Sequence, residues 1–154
     1  MMRNLFIIGL ILLLGSSCTK DDRITREVIA QYSKENIVFE PELEVCIVLP
    51  EVGCGGCIAG GVYFFQENKK KFARGQYKNK IVFTAIQSKK MLYRMLEVQS
   101  LDEYNSVVDW ENKFLVDGDN AIYPLILHLK RGKIVKAEYQ TPYSKDILGS
   151  LLLN

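Results

Sequence analysis

The chain reads as an α/β domain, a mixed sheet flanked by helices on both faces, and three observations predict it. Residues 43–50 form a mostly apolar run rich in β-branched residues, of the length and composition of an inner strand. Ile58, Val62, Phe65 and Phe72 then recur at helical spacing before a second extended run over 80–86. Strand, helix and strand in that order demand parallel pairing. Near the C terminus, runs at 122–129 and 134–139 flank Lys130-Arg131-Gly132-Lys133, a hairpin turn and so an antiparallel pair. Right-handed crossovers would place helices on both faces of the resulting sheet. With 154 residues, 48% hydrophobic and 25% charged, the chain has the size and composition of one globular domain.

Residues 1–17 stand apart from that domain. Arg3 gives a short positive start, and 5–14 is an unbroken apolar run of signal-peptide length, too short to cross a bilayer as a helix. Gly15-Ser16-Ser17 and then Cys18 follow. The stretch resembles a bacterial lipoprotein signal, in which a leucine and small residues precede the cysteine that becomes the acylated N terminus. Leu14 stands four residues before Cys18, where the usual pattern has three. Thr19-Lys20-Asp21-Asp22 resembles the acidic tether of some surface-exposed lipoproteins. The resemblance implies a signal peptide at 1–17, a lipid-anchored tether at 18–35 and a folded domain at 36–154. It implies a membrane-anchored protein, held through lipid on Cys18 and facing the periplasm or the cell surface. The plain alternative is an ordinary secretory signal with Cys18 incidental. Either way, export places the cysteines in an oxidising compartment.

The remaining elements follow in order. Ile24, Val28 and Tyr32, at i, i+4 and i+8, allow a short amphipathic helix or a loose tether over 19–35. Residues 36–40 suit a short strand, and Pro41 and Pro50 bracket the central one. A helix is expected from about Cys54 to Ala73. Gly60-Gly61 inside it cost about 1 kcal/mol each against alanine and mark close packing or a kink. Gly75 and Asn79 mark a turn before the strand at 80–86. Ser88 is placed to cap a helix carrying Met91, Leu92, Met95 and Leu96. Val107-Val108 is a short extended piece, and 109–121 is turn and loop. Ser144 is expected to cap a last helix carrying Ile147, Leu148, Leu151 and Leu152.

The chemistry concentrates at Cys54-Gly55-Gly56-Cys57, between the central strand and the following helix. The first thiol stands at a helix N terminus, where unpaired N–H groups favour the thiolate. The thiolate attacks a disulfide, and a cysteine two residues on can resolve the mixed disulfide. The glycines let another polypeptide approach. Cys46, mid-strand among Val45, Ile47 and Val48, reads as a small buried hydrophobe. A net charge of +2 does not argue for nucleic acid, and Lys69-Lys70-Lys71 and Lys89-Lys90 read as solvated helix faces. No second Cys-x-x-Cys or His pair completes a zinc site. Copper delivery would ask for a further ligand beside the pair. The one histidine, His128, reads as a packed strand residue. No cofactor or metal is expected.

Two motifs together resemble the thioredoxin fold over about residues 42–153: the Cys54/Cys57 pair after a hydrophobic strand, and Tyr123-Pro124 leading into a strand and hairpin with Gly132 eight residues on. The long stretch from Cys57 to Pro124 leaves room for the extra elements of the exported, membrane-tethered branch. The resemblance implies a thiol–disulfide oxidoreductase acting on exported protein thiols or disulfides. Cys54 would be the nucleophile, Cys57 the resolving thiol, and Pro124 would shape the substrate groove; Tyr123 and Trp110 read either as lining that groove beside the pair or as core or rim packing. It also implies a cis Tyr123–Pro124 bond facing the pair. The chain departs from the family at Gly53, where an aromatic residue is common, and at Gly56, where proline is. It departs also at Val48, where thioredoxin has a buried acid that assists proton transfer to the resolving cysteine. Glu51 is the nearest acid in sequence, in the loop, and is at most a weak substitute. The other reading is a non-catalytic surface lipoprotein using this scaffold to bind a partner or a metal.

Overall fold

The computed structural model describes the backbone of residues 20–51, 55–75 and 78–151, and the side chains of 22–51, 59–75 and 78–151. The leader at 1–17, Cys18 and Cys54 lie outside the described residues, as does the side chain of Cys57.

The elements are α1 (Lys20–Lys34), β1 (Val45–Pro50), α2 (Gly55–Asn68) with a 3-10 turn at Lys69–Phe72, β2 (Asn79–Thr84), α3 (Lys89–Leu96), β3 (Ser106–Asp109), β4 (Leu125–Lys130), β5 (Lys133–Tyr139) and α4 (Ile147–Ser150). Five strands form one sheet in the order β3-β2-β1-β4-β5. β1, β2 and β3 are parallel, and β4 runs antiparallel to both β1 and β5. The sheet is therefore mixed, with β1 at its centre.

Side chains alternate across β1. Cys46 and Val48 enter one core with Val28, Tyr32, Leu125 and Leu127. Ile47 and Leu49 enter the other with Phe65, Ile81, Phe83 and Leu92. Helices cover both faces, but not as alternating crossovers. The β1-α2-β2 and β2-α3-β3 connections step the same way along the sheet, so crossovers of one hand put α2 and α3 on the same face. The opposite face is closed by α1 and by Phe114 and Val116 of the long loop.

Of the two readings of 19–35, the structure holds the helix. Val28 and Tyr32 are buried, the Tyr32 hydroxyl donates to the Phe114 carbonyl at 2.8 Å, and Thr25 Oγ1 accepts from the Ala137 N–H at 3.0 Å. Ile24, Val28 and Tyr32, within the segment assigned to a tether, thus build part of the core. The strand expected at 36–40 is absent. Asn36 takes φ 54°, and the Asn36 and Ile37 N–H groups bond the Ser33 and Tyr32 carbonyls, which closes α1 in a Schellman turn and directs the chain into a loop.

Ser88 caps α3, accepting from the Met91 N–H at 3.4 Å. At Gly61 an added Cβ would lie 3.1 Å from Leu49 Cδ2, so the helix passes close over β1 there, as close packing requires. The hairpin turn has positive φ at Arg131 and Gly132. Gly132 is doubly constrained, because a Cβ would also meet the Phe39 carbonyl oxygen at 2.8 Å. The expected Ser144 cap is corrected. Ser144 Oγ bonds within its own turn, to Thr141, while Asp146 caps α4 by accepting from the Gly149 N–H at 2.8 Å. The Gln140 side chain takes the Ile147 and Leu148 N–H groups, so no orphan donor is left for Ser144.

Cys46 is 0% exposed, and burial pushes its thiol up to about 12. It is expected to resist alkylation in the native protein and to react only in denaturant. Cys46→Ala is expected to cost on the order of 1 kcal/mol. Mass-spectrometric counting of alkyl adducts with and without guanidinium checks both the burial and the register of β1; rapid native labelling would displace the strand.

Candidate functional site

The C-terminal ends of β1 and β2, the start of α2 and the beginning of β4 converge. β1 ends at Pro50, and the Glu51 N–H continues the ladder to the Thr84 carbonyl at 2.9 Å. α2 begins at Gly55, so Cys54 is the residue immediately before the helix and Cys57 is in its first turn. β4 pairs with β1 up to Val48 and Leu125, and one more step of that register sets Pro124 opposite Leu49. Leu49 in turn supports Gly61 of α2. Pro124 is buried and lines a groove of about 630 Å³ with Gly60, Gly61, Phe64, Gln140 and Leu148. It also lines a small cavity of about 20 Å³ behind α2, with Leu49, Glu51, Gly61 and Val62.

The Tyr123–Pro124 peptide is trans, which corrects the cis expectation. The Tyr123 N–H bonds the Asn120 carbonyl at 3.0 Å, and this turn leads into β4 through an ordinary X–Pro bond, for which trans is favoured by about 0.5–1 kcal/mol. Tyr123 and Pro124 do not share a groove. Tyr123 lines a separate small cavity with Val48, Thr84, Phe114 and Tyr139, on the α1 side of the sheet. Trp110 is exposed on the loop after β3 and lines neither Pro124 cavity.

Beside β2 lies a polar cluster that sequence reasoning missed. Thr84 and Asp109 are buried, at 0% and 7% exposure. Thr84 Oγ1 donates to Asp109 Oδ2 at 3.0 Å, and Asp109 accepts from the Lys113 and Phe114 N–H groups. Asn112 Oδ1 accepts from the N–H of Ala85, which sits at φ 56°. The signal available was an Asp closing a strand with an Asn three residues on, a pair suited to holding a turn through side-chain oxygens. The cluster fixes the loop after β2, and that loop holds Glu51: the Gln87 N–H donates to Glu51 Oε2 at 2.6 Å. Glu51 Oε1 is buried and has no hydrogen-bond partner among the described residues.

His128 lies at the far end of β4 and bonds Glu138 Oε1 at 2.8 Å, while Lys136 bonds Glu138 Oε2 at 2.7 Å. It is a strand residue engaged with its neighbour on β5. Burial alone would raise the Glu138 carboxyl, but the bonds from Lys136 and His128 outweigh it and hold the group below its ordinary 4.5. A carboxyl depressed in the folded state stabilises above its unfolded pKa, and that contribution is lost as pH falls through the folded value. Acid unfolding is therefore expected to be displaced to higher pH in the wild type relative to Glu138→Gln, once both curves are normalised to their neutral-pH stability. Identical normalised curves would remove the assigned role.

Among the described residues, no helix is long and apolar enough to cross a membrane. Compared with models of known protein families, with curated proteins and with solved structures, the chain matches none.

Proposed function

We propose that the protein is a membrane-tethered thiol–disulfide oxidoreductase that acts on exported proteins through Cys54 and Cys57 in a thioredoxin-like domain. The observation that supports it most is the position of the pair. In sequence Cys54 falls between β1, which ends at Pro50, and α2, which begins at Gly55, and the buried Pro124 of the neighbouring strand stands one register step beyond the Val48–Leu125 pair, beside the end of β1. A cysteine just before a helix N terminus has its thiolate favoured by the unpaired N–H groups. The groove beside Pro124 and Gly60-Gly61 offers a surface for the polypeptide that carries the target sulfur. The order of α2, β2, β4, β5 and α4 around β1 is compatible with the thioredoxin arrangement.

The trans Tyr123–Pro124 bond and Val48, buried where thioredoxin has an acid, favour a second reading: an inert bridge on a binding scaffold. One measurement separates the two. Equilibration in thiol–disulfide buffers is expected to give a potential in the range of active pairs, about −270 to −120 mV. A value below about −300 mV is that of a structural bridge and would establish the second reading. Anchoring is tested in the same preparation: Cys18→Ala is expected to leave the membrane fraction while remaining folded, and a wild-type chain that takes up no labelled fatty acid removes the lipoprotein reading.

A further inference from the structure

Residues 69–96 carry nine Lys or Arg and no Asp or Glu, so all 18 acids of the chain lie outside them. Lys78 and Lys80 pair with Glu44 and Glu40. Among the described residues, no carboxylate pairs with Lys69, Lys70, Lys89, Lys90 or Arg94. The fold brings these five together. Gln66 Nε2 donates to the Met95 carbonyl at 3.0 Å and Lys69 Nζ to the Glu97 carbonyl at 3.3 Å, so the end of α2 is seated on the end of α3. α3 turns Leu92 and Leu96 into the core. It leaves Lys90 and Arg94, one turn apart, beside Met91 and Met95, also one turn apart. With Ser88 these four side chains line a groove of about 550 Å³, and Met91 is 55% exposed within it. Like charges one turn apart oppose the helix that carries them, so the stability of α3 does not account for Lys90 and Arg94.

We propose that this surface docks an acidic segment of a partner protein, with a large apolar side chain on Met91 and Met95 and carboxylates on Lys90 and Arg94. Thioether side chains adapt to the shape of what they cover, and a guanidinium takes a carboxylate through two parallel bonds. Lys69 and Lys70 lie toward the C-terminal end of α3, and Lys89, held 5.3 Å over the Tyr93 ring, stands at the other. They extend one sign of charge along the docked segment and steer its approach. Charge alone would also admit an anionic bilayer, and two observations favour a protein. The methionine floor calls for an apolar group between the charges, which a peptide supplies and a row of phosphate headgroups does not. On the anchored reading the bilayer lies at the N-terminal end of α1, and α1 and α3 cover opposite faces of the sheet. Neither Cys54 nor Cys57 takes part, so the proposal stands whether or not the pair is redox-active.

The test titrates the full chain, in mild detergent, against a fluorescent peptide of glutamates around a central leucine pair, free of cysteine, and reads anisotropy. The wild type is expected to bind it and to ignore the same peptide with lysine for glutamate. The double variant Lys90→Gln, Arg94→Gln should bind about tenfold more weakly, the scale of two exposed ion pairs. Met91→Gln should weaken the leucine peptide several-fold and leave an all-glutamate peptide unchanged. Affinity in the double variant within twofold of wild type overturns the assignment, as does equal binding of the lysine peptide. Equal affinity for the all-glutamate peptide, or full displacement by mixed micelles of phosphatidylglycerol at the same total charge, marks a surface for anionic lipid and overturns it as well. Should the double variant not fold, the wild-type salt series decides. A fall in affinity of about tenfold between 50 and 500 mM salt, as screening of exposed charges requires, supports the proposal, and a level series overturns it.

Discussion

Replacing Cys57 by serine is expected, if the protein is the proposed oxidoreductase, to turn it from a reagent that releases its clients into one that holds them. On the oxidoreductase reading attack begins at Cys54, the residue before α2 in the sequence, and release needs Cys57, in the first turn of that helix. Without it, each encounter with a client disulfide should end as a covalent adduct. Non-reducing gels of membranes from cells expressing Cys57→Ser are expected to show high-mass species that collapse on reduction, and mass spectrometry should find exported proteins within them. Cys54→Ser should capture few or none, because Cys57 lies deeper along the helix. If neither variant holds a client, and the wild-type pair survives strong thiol reductant unchanged, the scaffold reading stands instead.

The largest effect on stability is expected from Phe65→Ala. Phe65 is 0% exposed and lies at the junction of α2 with the sheet. Its ring meets Phe83 at 5.7 Å and Tyr104 at 5.2 Å, both edge to face, and Phe72 at 6.1 Å. Deleting such a side chain removes its burial and leaves a cavity that the surrounding rings cannot fill, a loss of about 3–5 kcal/mol. A domain of this kind holds about 5–15 kcal/mol in total, so the variant should be close to unfolding at body temperature. Urea denaturation followed by circular dichroism measures it. A loss under about 1 kcal/mol would mean that α2 is not docked through this residue.

Local chemistry made much of this fold legible. β1 could be read because it is covered on both faces and so has no polar alternation to confuse its boundaries. Ser88 and Gly132 could be read because a cap and a tight turn are decided within four residues. What escaped depends on distant partners. The docking of α1 rests on Thr25 with Ala137 and on Tyr32 with Phe114, pairs separated by 112 and 82 positions, and the helix pattern alone left a tether open. Residues 36–40 have the composition of a strand, but the left-handed backbone of Asn36 serves to end the helix before it, a role composition does not reveal. Ser144 and Asp146 are both competent caps; Gln140, from the end of β5, decides between them by taking the first free N–H groups. At the site, Tyr123 and Pro124 are adjacent in sequence and therefore easily assigned one task, yet successive residues of an extended chain face opposite ways. Glu51 was visible as an acid near the pair, but its unpaired oxygen comes from the loop after β2, pinned by Asp109 and Asn112.

The docking of α1 also sets a leash. Were residues 18–35 an extended strap, a lipid on Cys18 would let the domain range as far as about 60 Å from the bilayer surface. Instead the helix begins at Lys20 and is clasped to β5 by Thr25, so in sequence only Thr19 separates Cys18 from the first residue of that helix. Under the anchored reading the domain rides on the headgroups, and its working range is a shell no thicker than itself. Clients would then be met at the membrane as they emerge or as neighbours in the same leaflet. Lengthening the slack by inserting a flexible segment between Cys18 and Lys20 would extend that range without touching the site.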